Sequence, residues 1–579
     1  MNEPTAEDPS TAWPDGRNEN RSDTRSELQS DSQSDARVRT RADSPADSPP
    51  DRLAGSPADR RDDQEPETPA DARLITVSNR LPVVLERDDN GAWDVRTGSG
   101  GLVTALAPVL RNRGGTWIGW PGAVADGDGI DIEELLDRAA AESGYQLRPV
   151  MLSAEERLKF YQGFANEIIW PLFHDLQTLC DFNPSYWYTY QTVNRRFAHA
   201  VTEASRPGDF IWIHDYHLMS VAKELRALGV KARCGFFLHI PFPPLDLFMK
   251  LPWRFQLLRD LLEFDLLGFQ TMRDRRNFVH CVRTLVKDVR VKAQGSYATI
   301  RTQNREVRVG SFPISIDARE FARQAASQEV AETAWYIHED LPQRKIILGV
   351  DRLDYTKGIP HRLDAFRSAL RRFPDLHEKV TLIQVVVPSR FNIPRYMKLK
   401  TEIERLVGEI NGEFTRSGWV PIHYIYRSLD RRELLAYYRT AEVALVTPIK
   451  DGMNLVAKEY CASNLEGNGV LILSEFAGAV SQMQRGALLV NPYDLEGVGA
   501  AIYQAIQMPE DERRRRMGRL RGGIRRQDVY WWVDAFLQAA FAKRLDQLPV
   551  QEEYFPTPKL APLPFAPERR IPTGGSYVG

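Results

Sequence analysis

Two cationic side chains follow one of the most apolar runs in the sequence. Arg352 and Lys357 come directly after KIILGV at 345–350, in the segment DRLDYTKG that ends at Gly358. Two cations at the end of a buried strand can neutralise a diphosphate leaving group without a metal ion. Loop cations are usually only solvated, but the position of these two after an apolar strand favours binding of a phosphorylated ligand.

A second anion site is indicated by the string VTPIKDGMNLVAKEY. Asp451 and Gly452 precede a helical pattern that reaches Glu459. Free amides at a helix N-terminus bind anions. Here those amides belong to Met453, Asn454 and Leu455. Asp451 could accept hydrogen bonds from sugar hydroxyls and Glu459 could reach a ribose; alternatively, Asp451 only caps the helix.

A glycine-rich segment near the start of the globular part has a weaker signal. Arg80 follows the apolar run at 74–79, and Gly98, Gly100 and Gly101 precede a helix-like stretch. Glycines at a helix N-terminus let backbone amides approach a phosphate. The spacing matches neither GxGxxG nor a P-loop, so an ordinary tight turn is an equal alternative.

A carboxylate and two histidines follow the apolar run DFIWIHD at 209–215. Asp215, His214 and His217 could carry acid–base chemistry or bind a metal ion. The alternative is a network of hydrogen bonds at the strand end. The cluster has too few suitably spaced ligands for a metal site.

A further histidine follows the strand-like run at 234–240. His239 precedes Pro241 and Pro243, whose rigid turn would point it towards the face where ligands bind. A lone histidine at a strand end is more often structural. Its position therefore makes His239 a candidate ligand-binding residue, with a structural role as the alternative.

The elements that must position these residues alternate between strand and helix. Continuous apolar runs followed by amphipathic stretches are typical of parallel sheets covered by helices. The sequence predicts an α/β protein with two doubly wound sheets and a boundary near 315–340. Ligands of such sheets bind beyond the carboxyl ends of the strands, where the candidate residues lie. The predicted strands are 74–79, 116–120, 209–215, 234–240, 266–270, 345–350, 381–387, 421–426, 443–448 and 469–475.

Composition excludes several classes of protein. The 579 residues carry a formal net charge of only −2, which indicates neither a nucleic-acid nor a membrane partner. No run of about 18 apolar residues and no secretory pattern are visible. The four widely spaced cysteines predict reduced thiols in a cytoplasmic protein. Residues 1–72 and 549–579 are polar, Pro-rich tails, the first predicted to be disordered.

Eleven strings in order resemble the trehalose-6-phosphate synthase family of retaining glycosyltransferases, over about 73–545. They are VSNR, GGL, WIGW, YQGFANEIIWP, IHDYH, FFLHIPFP, DLLGFQT, DRLDYTKG, DGMNLVAKEY, SEFAGA and NPYD. The resemblance implies the GT-B fold, in which two Rossmann-like, doubly wound domains face a central cleft. The expected domains are 73–325, which binds the acceptor, and 326–548, which binds the nucleotide sugar.

The resemblance also implies an acceptor site. Arg80 and Arg390 should hold the acceptor phosphate, and Asp215 should bind acceptor hydroxyls. Three aromatic residues should line the pocket: Trp120, Tyr161 and Trp170. The other histidines near these strings are expected to be structural: His174, His214 and His217.

On the donor side, the resemblance implies that Arg352 and Lys357 clamp the diphosphate, with Gly101 close to it. His239 and Asp451 should contact the donor glucose. Further donor contacts are expected from Met453, Asn454, Leu455 and, on the ribose, Glu459.

The implied reaction transfers glucose from a nucleotide-glucose to glucose 6-phosphate with retention, without metal or cofactor. Because the sequence offers no distinctive nucleophilic carboxylate, a front-face substitution is predicted, in which the leaving diphosphate accepts the proton of the incoming hydroxyl. UDP-glucose is the expected donor, with ADP- and GDP-glucose as alternatives. A glucosylglycerol-phosphate synthase and a catalytically silent regulatory paralogue are the alternatives for function, and homo-oligomerisation stays open.

Overall fold

The computed structural model describes residues 72–87, 93–98, 101–123, 132–390, 393–545 and 548–556. Of the predicted tails at 1–72 and 549–579, residues 1–71 and 557–579 lie outside these ranges, as does Gly100. The strands are β1 (Leu74–Arg80), β2 (Val83–Arg87), β3 (Trp93–Thr97), β4 (Thr116–Trp120), β5 (Gln146–Pro149), β6 (Phe210–His214), β7 (Arg233–Leu238), β8 (Leu266–Phe269), β9 (Arg290–Gln294), β10 (Tyr297–Arg301), β11 (Glu306–Ser311), β12 (Lys345–Arg352), β13 (Val380–Val387), β14 (Ile422–Ile425), β15 (Val443–Val446), β16 (Val470–Ser474) and β17 (Leu488–Val490).

Helices connect most of these strands, and the segment between α3 and α4 continues as a wider, π-type helix at Arg157–Ile169. The helices are α1 (Gly101–Arg113), α2 (Ile132–Ser143), α3 (Ala154–Glu156), α4 (Trp170–Phe173), α5 (Pro184–Ala204), α6 (Val221–Ala227), α7 (Leu245–Phe248), α8 (Arg254–Leu261), α9 (Met272–Leu285), α10 (Ala318–Ala325), α11 (Gln328–Glu339), α12 (Ile359–Arg372), α13 (Pro394–Phe414), α14 (Arg431–Thr440), α15 (Leu455–Ser463), α16 (Val480–Met483), α17 (Leu495–Gln507), α18 (Glu510–Arg526) and α19 (Val529–Phe541).

The first sheet has nine strands in the order β5-β4-β1-β6-β7-β8-β11-β10-β9. The strands from β5 to β11 pair in parallel, and β10 and β9 add an antiparallel edge. From β1 the chain moves outward through β4 and β5 and then returns to β6 on the other side. The carboxyl ends of β1 and β6 therefore form a topological switch point, where open α/β sheets bind ligands.

The second sheet has six parallel strands in the order β14-β13-β12-β15-β16-β17. Strands β12 and β13 are almost entirely buried because helices cover both faces, which explains their unbroken apolar sequence. The chain reverses its direction across the sheet between β12 and β15. This creates a second switch point.

The structure confirms the α/β prediction and each of the ten predicted strands, to within a few residues at their ends. It adds strands that the apolar pattern does not predict. These include the antiparallel strands β9 and β10 and the hairpin of β2 and β3. Each has only five residues, and β9 is largely exposed. Such strands have weak signals in sequence.

Helix α19 lies within the range predicted for the second domain but packs on the first sheet. The Phe536 ring stacks on Trp212 of β6 with centroids 4.5 Å apart. A Cβ at Gly235 or Gly268 would come within 2.8 Å or 2.6 Å of this ring, so glycines make room for it. The division at 325/326 stays a prediction, with the last helix contributing to the core of the first sheet.

Polar contacts also join the two halves directly. Lys450, just after β15, forms an ion pair with Asp175 at 2.5 Å. Arg395 at the start of α13 donates a hydrogen bond to the Leu179 carbonyl at 2.8 Å. The carboxyl ends of the two sheets therefore face each other across one cleft.

Candidate active site

The candidate residues converge because they follow the two switch points. Arg80 ends β1 and Asp215 follows β6 in the first sheet, while Arg352 ends β12 and Asp451 lies beyond β15 in the second. The fold thus brings four charged side chains, predicted from separate strings, to the two walls of one cleft.

Arg80 is held by aromatic rings on the first wall. Its guanidinium lies 4.0 Å above the centre of the Trp120 ring and 5.7 Å from that of Tyr161. The Trp120 indole is itself fixed, since its N–H donates to the Ala123 carbonyl at 2.6 Å. Only 1 % of the Trp120 surface is exposed, and its ring contacts Arg80. Burial lowers the pKa of Arg80 from its usual value.

Arg390 reproduces this arrangement from the opposite wall. Its guanidinium lies 4.2 Å above the ring of Trp170, a residue of the first half. It also forms an ion pair with Asp354 at 3.4 Å and donates to the Tyr396 hydroxyl. Its φ of 49° is unusual for a non-glycine residue. Such a conformation persists where the surroundings fix it, often at a functional site.

Tyr161 lies between the two arginines. Burial raises the pKa of its hydroxyl, but the nearby Arg390, Arg80 and Arg352 lower it more, so that the pKa lies below its usual value. The Tyr161 ring stacks on His217 with centroids 5.8 Å apart. Positive charge from both halves is therefore concentrated around one hydroxyl, and this is the environment that a phosphate requires.

Asp215 has a strained backbone at the end of β6. Its φ of 74° and ψ of 167° lie in a region that glycine normally occupies. Its carboxylate accepts a hydrogen bond from the His239 amide at 3.2 Å. Burial raises the pKa of Asp215 to about 7, against the opposing influence of hydrogen bonds and of Arg352 and Arg390.

His239 lies in the middle of a short chain of polar groups. Its Nε2 shares a hydrogen bond with Nδ1 of His214 at 3.1 Å, and its Nδ1 lies 3.4 Å from the Gln270 amide nitrogen. Burial lowers the pKa of His239 to about 3, so the imidazole is neutral at physiological pH. A Cβ at Gly452 would come within 2.1 Å of the His239 carbonyl, so glycine lets the second wall touch the first.

The two cations predicted to bind the donor differ in their partners. The Lys357 ammonium forms an ion pair with Asp451 at 2.5 Å, and the Asn454 amide donates to the same carboxylate at 3.1 Å. Burial raises the pKa of Asp451, but Lys357 outweighs it and the pKa lies below its usual value. Arg352 is exposed, and within the described ranges no carboxylate forms an ion pair with it.

Two helix N-termini meet at the donor side. A Cβ on Gly101, the first residue of α1, would come within 2.9 Å of the Leu455 side chain, the first residue of α15. Asn454 caps α15 by accepting from the Ala457 amide at 3.3 Å and has a φ of 74°. Met453 beside it is buried. The two positive helix ends therefore point into the same part of the cleft.

Glu459 lies one turn further along α15. Its carboxylate accepts a hydrogen bond from the Tyr438 hydroxyl at 2.9 Å. Burial raises the pKa of Glu459 above its usual value, despite the opposing effect of Arg431.

Two residues at the site were not predicted to have a role in it. Asp354 accepts from the amide and hydroxyl of Thr356 at 3.0 and 2.9 Å and also pairs with Arg390, so it connects the segment after β12 with the segment after β13. His174 packs against Trp170, and its Nδ1–H donates a hydrogen bond to the Trp170 carbonyl at 2.7 Å. Only the position of Asp354 inside DRLDYTKG could have identified it from sequence.

Among the side chains that the structure describes, no group of three or more His, Cys, Asp or Glu residues could hold a metal ion. The described helices also include none that is long and apolar enough to span a membrane. Within the described part of the cleft, the arginines, Lys357 and the helix ends supply positive charge to a ligand.

Two Rossmann-like domains with facing switch points and a cationic cleft define a glycosyltransferase of the GT-B fold. The chain belongs to glycosyltransferase family 20, whose family model matches residues 72–542. It is 44% identical to the trehalose-6-phosphate synthase of Mycobacterium sp. strain JLS over 474 residues, which cover 81% of this chain and 96% of that protein. The corresponding Mycolicibacterium smegmatis protein is also 44% identical, with 81% and 92% covered.

Solved structures agree with this assignment. An α,α-trehalose-phosphate synthase from Burkholderia xenovorans in complex with glucose 6-phosphate is 35% identical, with a TM-score of 0.73 over 81% of this chain and 100% of that one. A trehalose-6-phosphate structure from E. coli bound with UDP-2-fluoro glucose is also 35% identical, with a TM-score of 0.73 over 81% and 99%.

Proposed function

We propose that this chain is a retaining glucosyltransferase that makes α,α-trehalose 6-phosphate from a nucleotide-glucose and glucose 6-phosphate. The observation that carries the proposal is the meeting of Arg80 and Arg390 at Tyr161, one arginine from each half. Two guanidinium groups and a hydroxyl suit the oxygens of a single phosphate. The trehalose-6-phosphate synthase relatives support the same reaction.

In this proposal the acceptor phosphate lies between Arg80, Tyr161 and Arg390. Trp120 and Trp170 hold the two guanidinium planes, so little side-chain freedom is lost when the phosphate binds. Asp215 in its ionised form accepts hydrogen bonds from the hydroxyls of the glucose ring. The acceptor thus contacts both walls, which ties its binding to closure of the cleft.

The donor diphosphate lies between Arg352, Lys357 and the N-termini of α1 and α15. Lys357 then exchanges part of its contact with Asp451 for a phosphate oxygen, and Asp451 binds donor hydroxyls. Met453 and Leu455 contribute amides at the same helix end, and Glu459 binds the ribose. UDP-glucose is the proposed donor, because a related structure holds UDP-2-fluoro glucose.

Chemistry on this scaffold rests on position and charge. The bond between the anomeric carbon and the diphosphate oxygen breaks as Arg352 and Lys357 stabilise the leaving group. The incoming hydroxyl attacks from the same face and passes its proton to a diphosphate oxygen. Neutral His239 contacts the donor glucose but does not act as a general acid, because with a pKa of about 3 its ring is not an imidazolium at neutral pH.

We also propose that the reaction requires no metal ion or cofactor and takes place in the cytoplasm. The cations of the cleft supply the charge that a metal would otherwise supply. Light scattering on the purified protein would decide between a monomer and a homo-oligomer.

The decisive experiment incubates the purified chain with UDP-, ADP- or GDP-glucose and either glucose 6-phosphate or glycerol 3-phosphate, with and without EDTA. The expected product is α,α-trehalose 6-phosphate, identified by NMR, with a rate that EDTA leaves unchanged. Product from glycerol 3-phosphate alone would identify a glucosylglycerol-phosphate synthase, and no product from any pair would identify a silent paralogue. Loss of activity with EDTA would contradict metal independence.

A further inference from the structure

A groove with surplus positive charge lies between α16, α18 and the segment 548–556. Its volume is about 990 Å³, and it contains none of the proposed active-site residues. Small-molecule sites commonly have about 300–1,000 Å³, so the groove is large enough for a nucleotide or a sugar phosphate.

The charge comes from the C-terminal half of α18. Three arginines in the first half of this helix are neutralised at the i+4 spacing, by ion pairs that join Arg514 to Glu510, Arg515 to Asp511 and Arg516 to Glu512. Arg519 and Arg526 instead line the groove, and no ion pair with a described carboxylate neutralises them. Their spacing of seven residues places them on one face of the helix.

The shape of the groove depends on helical glycines. A Cβ at Gly518 would meet nothing within 4 Å, and one at Gly522 would first meet the Arg526 guanidinium at 3.4 Å. Glycine weakens a helix relative to alanine, and no neighbouring group in the protein requires it at these two positions. The bare backbone deepens the groove, and Trp531 adds a flat wall.

The floor of the groove is linked to the donor helix. Gln482 and Gln527, which both line it, are joined by a hydrogen bond of 2.7 Å. The Gln482 side-chain oxygen accepts a hydrogen bond of 2.6 Å from Lys458, which is only 1 % exposed and also donates to the Ile314 carbonyl at 2.6 Å. Lys458 directly precedes Glu459 on α15. A ligand that displaces Gln482 would therefore disturb a buried contact of α15 at the residue that precedes Glu459.

We propose that this groove is a second binding site, for a phosphorylated small molecule, and that its occupancy changes the affinity for the nucleotide sugar through Gln482 and Lys458. The phosphate contacts Arg519 and Arg526, whose guanidinium groups suit it geometrically. Trp531 packs against the remainder of the ligand. The binding site stands independently of the proposed reaction, whereas the effect on the donor rests on the proposed function.

Equilibrium dialysis with the full-length chain tests the site, with ATP and tripolyphosphate as probes. Binding of the probes in the active site is common to wild type and the variants, so the groove is measured from the difference between them. We expect wild-type protein to bind both probes, and the double variant Arg519→Ser/Arg526→Ser to bind them at least about tenfold more weakly. The matched control, Arg514→Ser/Arg515→Ser, removes the same charge from the same helix and should bind as wild type does.

A cavity-filling variant tests the shape. Gly522→Leu places a side chain over the groove and improves helix propensity. It should lose probe binding without any fall in melting temperature, whereas Gly412→Leu on α13 should retain binding. The proposed site would be overturned if wild type bound neither probe at millimolar concentration. It would also be overturned if both arginine double variants lost the same amount of probe binding.

The effect on the donor is read from the donor KM with and without ATP. ATP should shift the donor KM of wild type more than that of Arg519→Ser/Arg526→Ser. The shift in this double variant measures the competition of ATP for the active site. Equal shifts would overturn the coupling and leave the groove as a binding site. Failure of the proposed function would be seen separately, as absence of trehalose 6-phosphate without ATP.

Discussion

The proposed acceptor side and the proposed donor side of the cleft each present two cations, but these cations are held differently. On the acceptor side, Arg80 and Arg390 lie on the tryptophan rings at 4.0 and 4.2 Å and converge on one tyrosine. On the donor side, Lys357 is already paired with Asp451 at 2.5 Å, and Arg352 is exposed. In the proposed reaction, the acceptor site is thus assembled before its ligand binds, whereas the donor site must rearrange.

This difference matches the two tasks. A phosphate that does not react needs only a rigid receptor, because rigidity reduces the entropy lost on binding. A leaving diphosphate gains charge during the reaction, and interactions that strengthen at that moment lower the barrier. Lys357 can provide such an interaction, because its ammonium group can move from the Asp451 carboxylate to the charge that develops on the leaving diphosphate.

The largest expected effect comes from removing Lys357. Lys357→Ala should lower kcat about a thousandfold, since charge stabilisation of a leaving group is commonly worth that much, and should leave the acceptor KM nearly unchanged. Nucleotide release at saturating substrates is the measurement. Lys400→Ala, which removes a lysine paired with Glu404 on the surface of α13, is the control. Near-normal turnover in Lys357→Ala would overturn the proposed role of this cation.

The acceptor arginines should show the opposite pattern. Arg80→Ala or Arg390→Ala should raise the KM for glucose 6-phosphate roughly tenfold to hundredfold, as expected for a charge-assisted hydrogen bond. Arg80→Lys should recover little, because an ammonium group cannot reproduce the planar stack on Trp120. Initial rates over a range of acceptor concentrations provide the test, and an unchanged acceptor KM in both alanine variants would refute the assignment.

The sequence alone predicts those residues of the cleft that lie at the ends of strands. Arg352, Asp451, Arg80 and Asp215 follow apolar runs, and the parallel-sheet topology brings such positions together without further information. Family resemblance was needed for Arg390, which follows β13 in a segment without a distinctive charge pattern. Its position depends on contact with Trp170 in the other half, and this contact cannot be predicted from a single sequence.

Backbone strain was equally hidden from sequence. Asp215, Arg390 and Asn454 all have positive φ values, between 49° and 74°, in residue types that do not require it. Local propensity predicts ordinary conformations at these positions, and only the surrounding structure enforces the unusual ones. The return of α19 to the first sheet was missed for a related reason, because a helical pattern does not say which sheet it covers.

Dependence on pH should also differ between the two sides. Asp215 has a pKa raised to about 7, so it is protonated below this pH and cannot accept hydrogen bonds from acceptor hydroxyls at both oxygens. Asp451 has a lowered pKa and stays ionised. We expect kcat/KM for the acceptor to fall by up to about tenfold per pH unit below 7, with a weaker dependence for the donor.

The control for this profile is Asp215→Asn. Glucose 6-phosphate has its own titration near pH 6, as phosphate monoesters do, and this remains in the variant while the limb due to Asp215 disappears. Identical acid limbs in both proteins would assign the pH dependence to the substrate and remove Asp215 from the explanation.

The smallest expected effect tests whether the acceptor site owes its rigidity to the tryptophans. Trp120→Leu keeps a large apolar side chain but removes the ring beneath Arg80 and the N–H bond to Ala123. A cation–π contact is worth about 0.5–2 kcal/mol, so the acceptor KM should rise roughly twofold to thirtyfold while the donor KM does not change. Trp335→Leu, at an exposed ring on α11, is the matched control. If Trp120→Leu changes both KM values equally, the ring supports the fold as a whole, and the contrast between a rigid acceptor site and an adjustable donor site loses its physical basis.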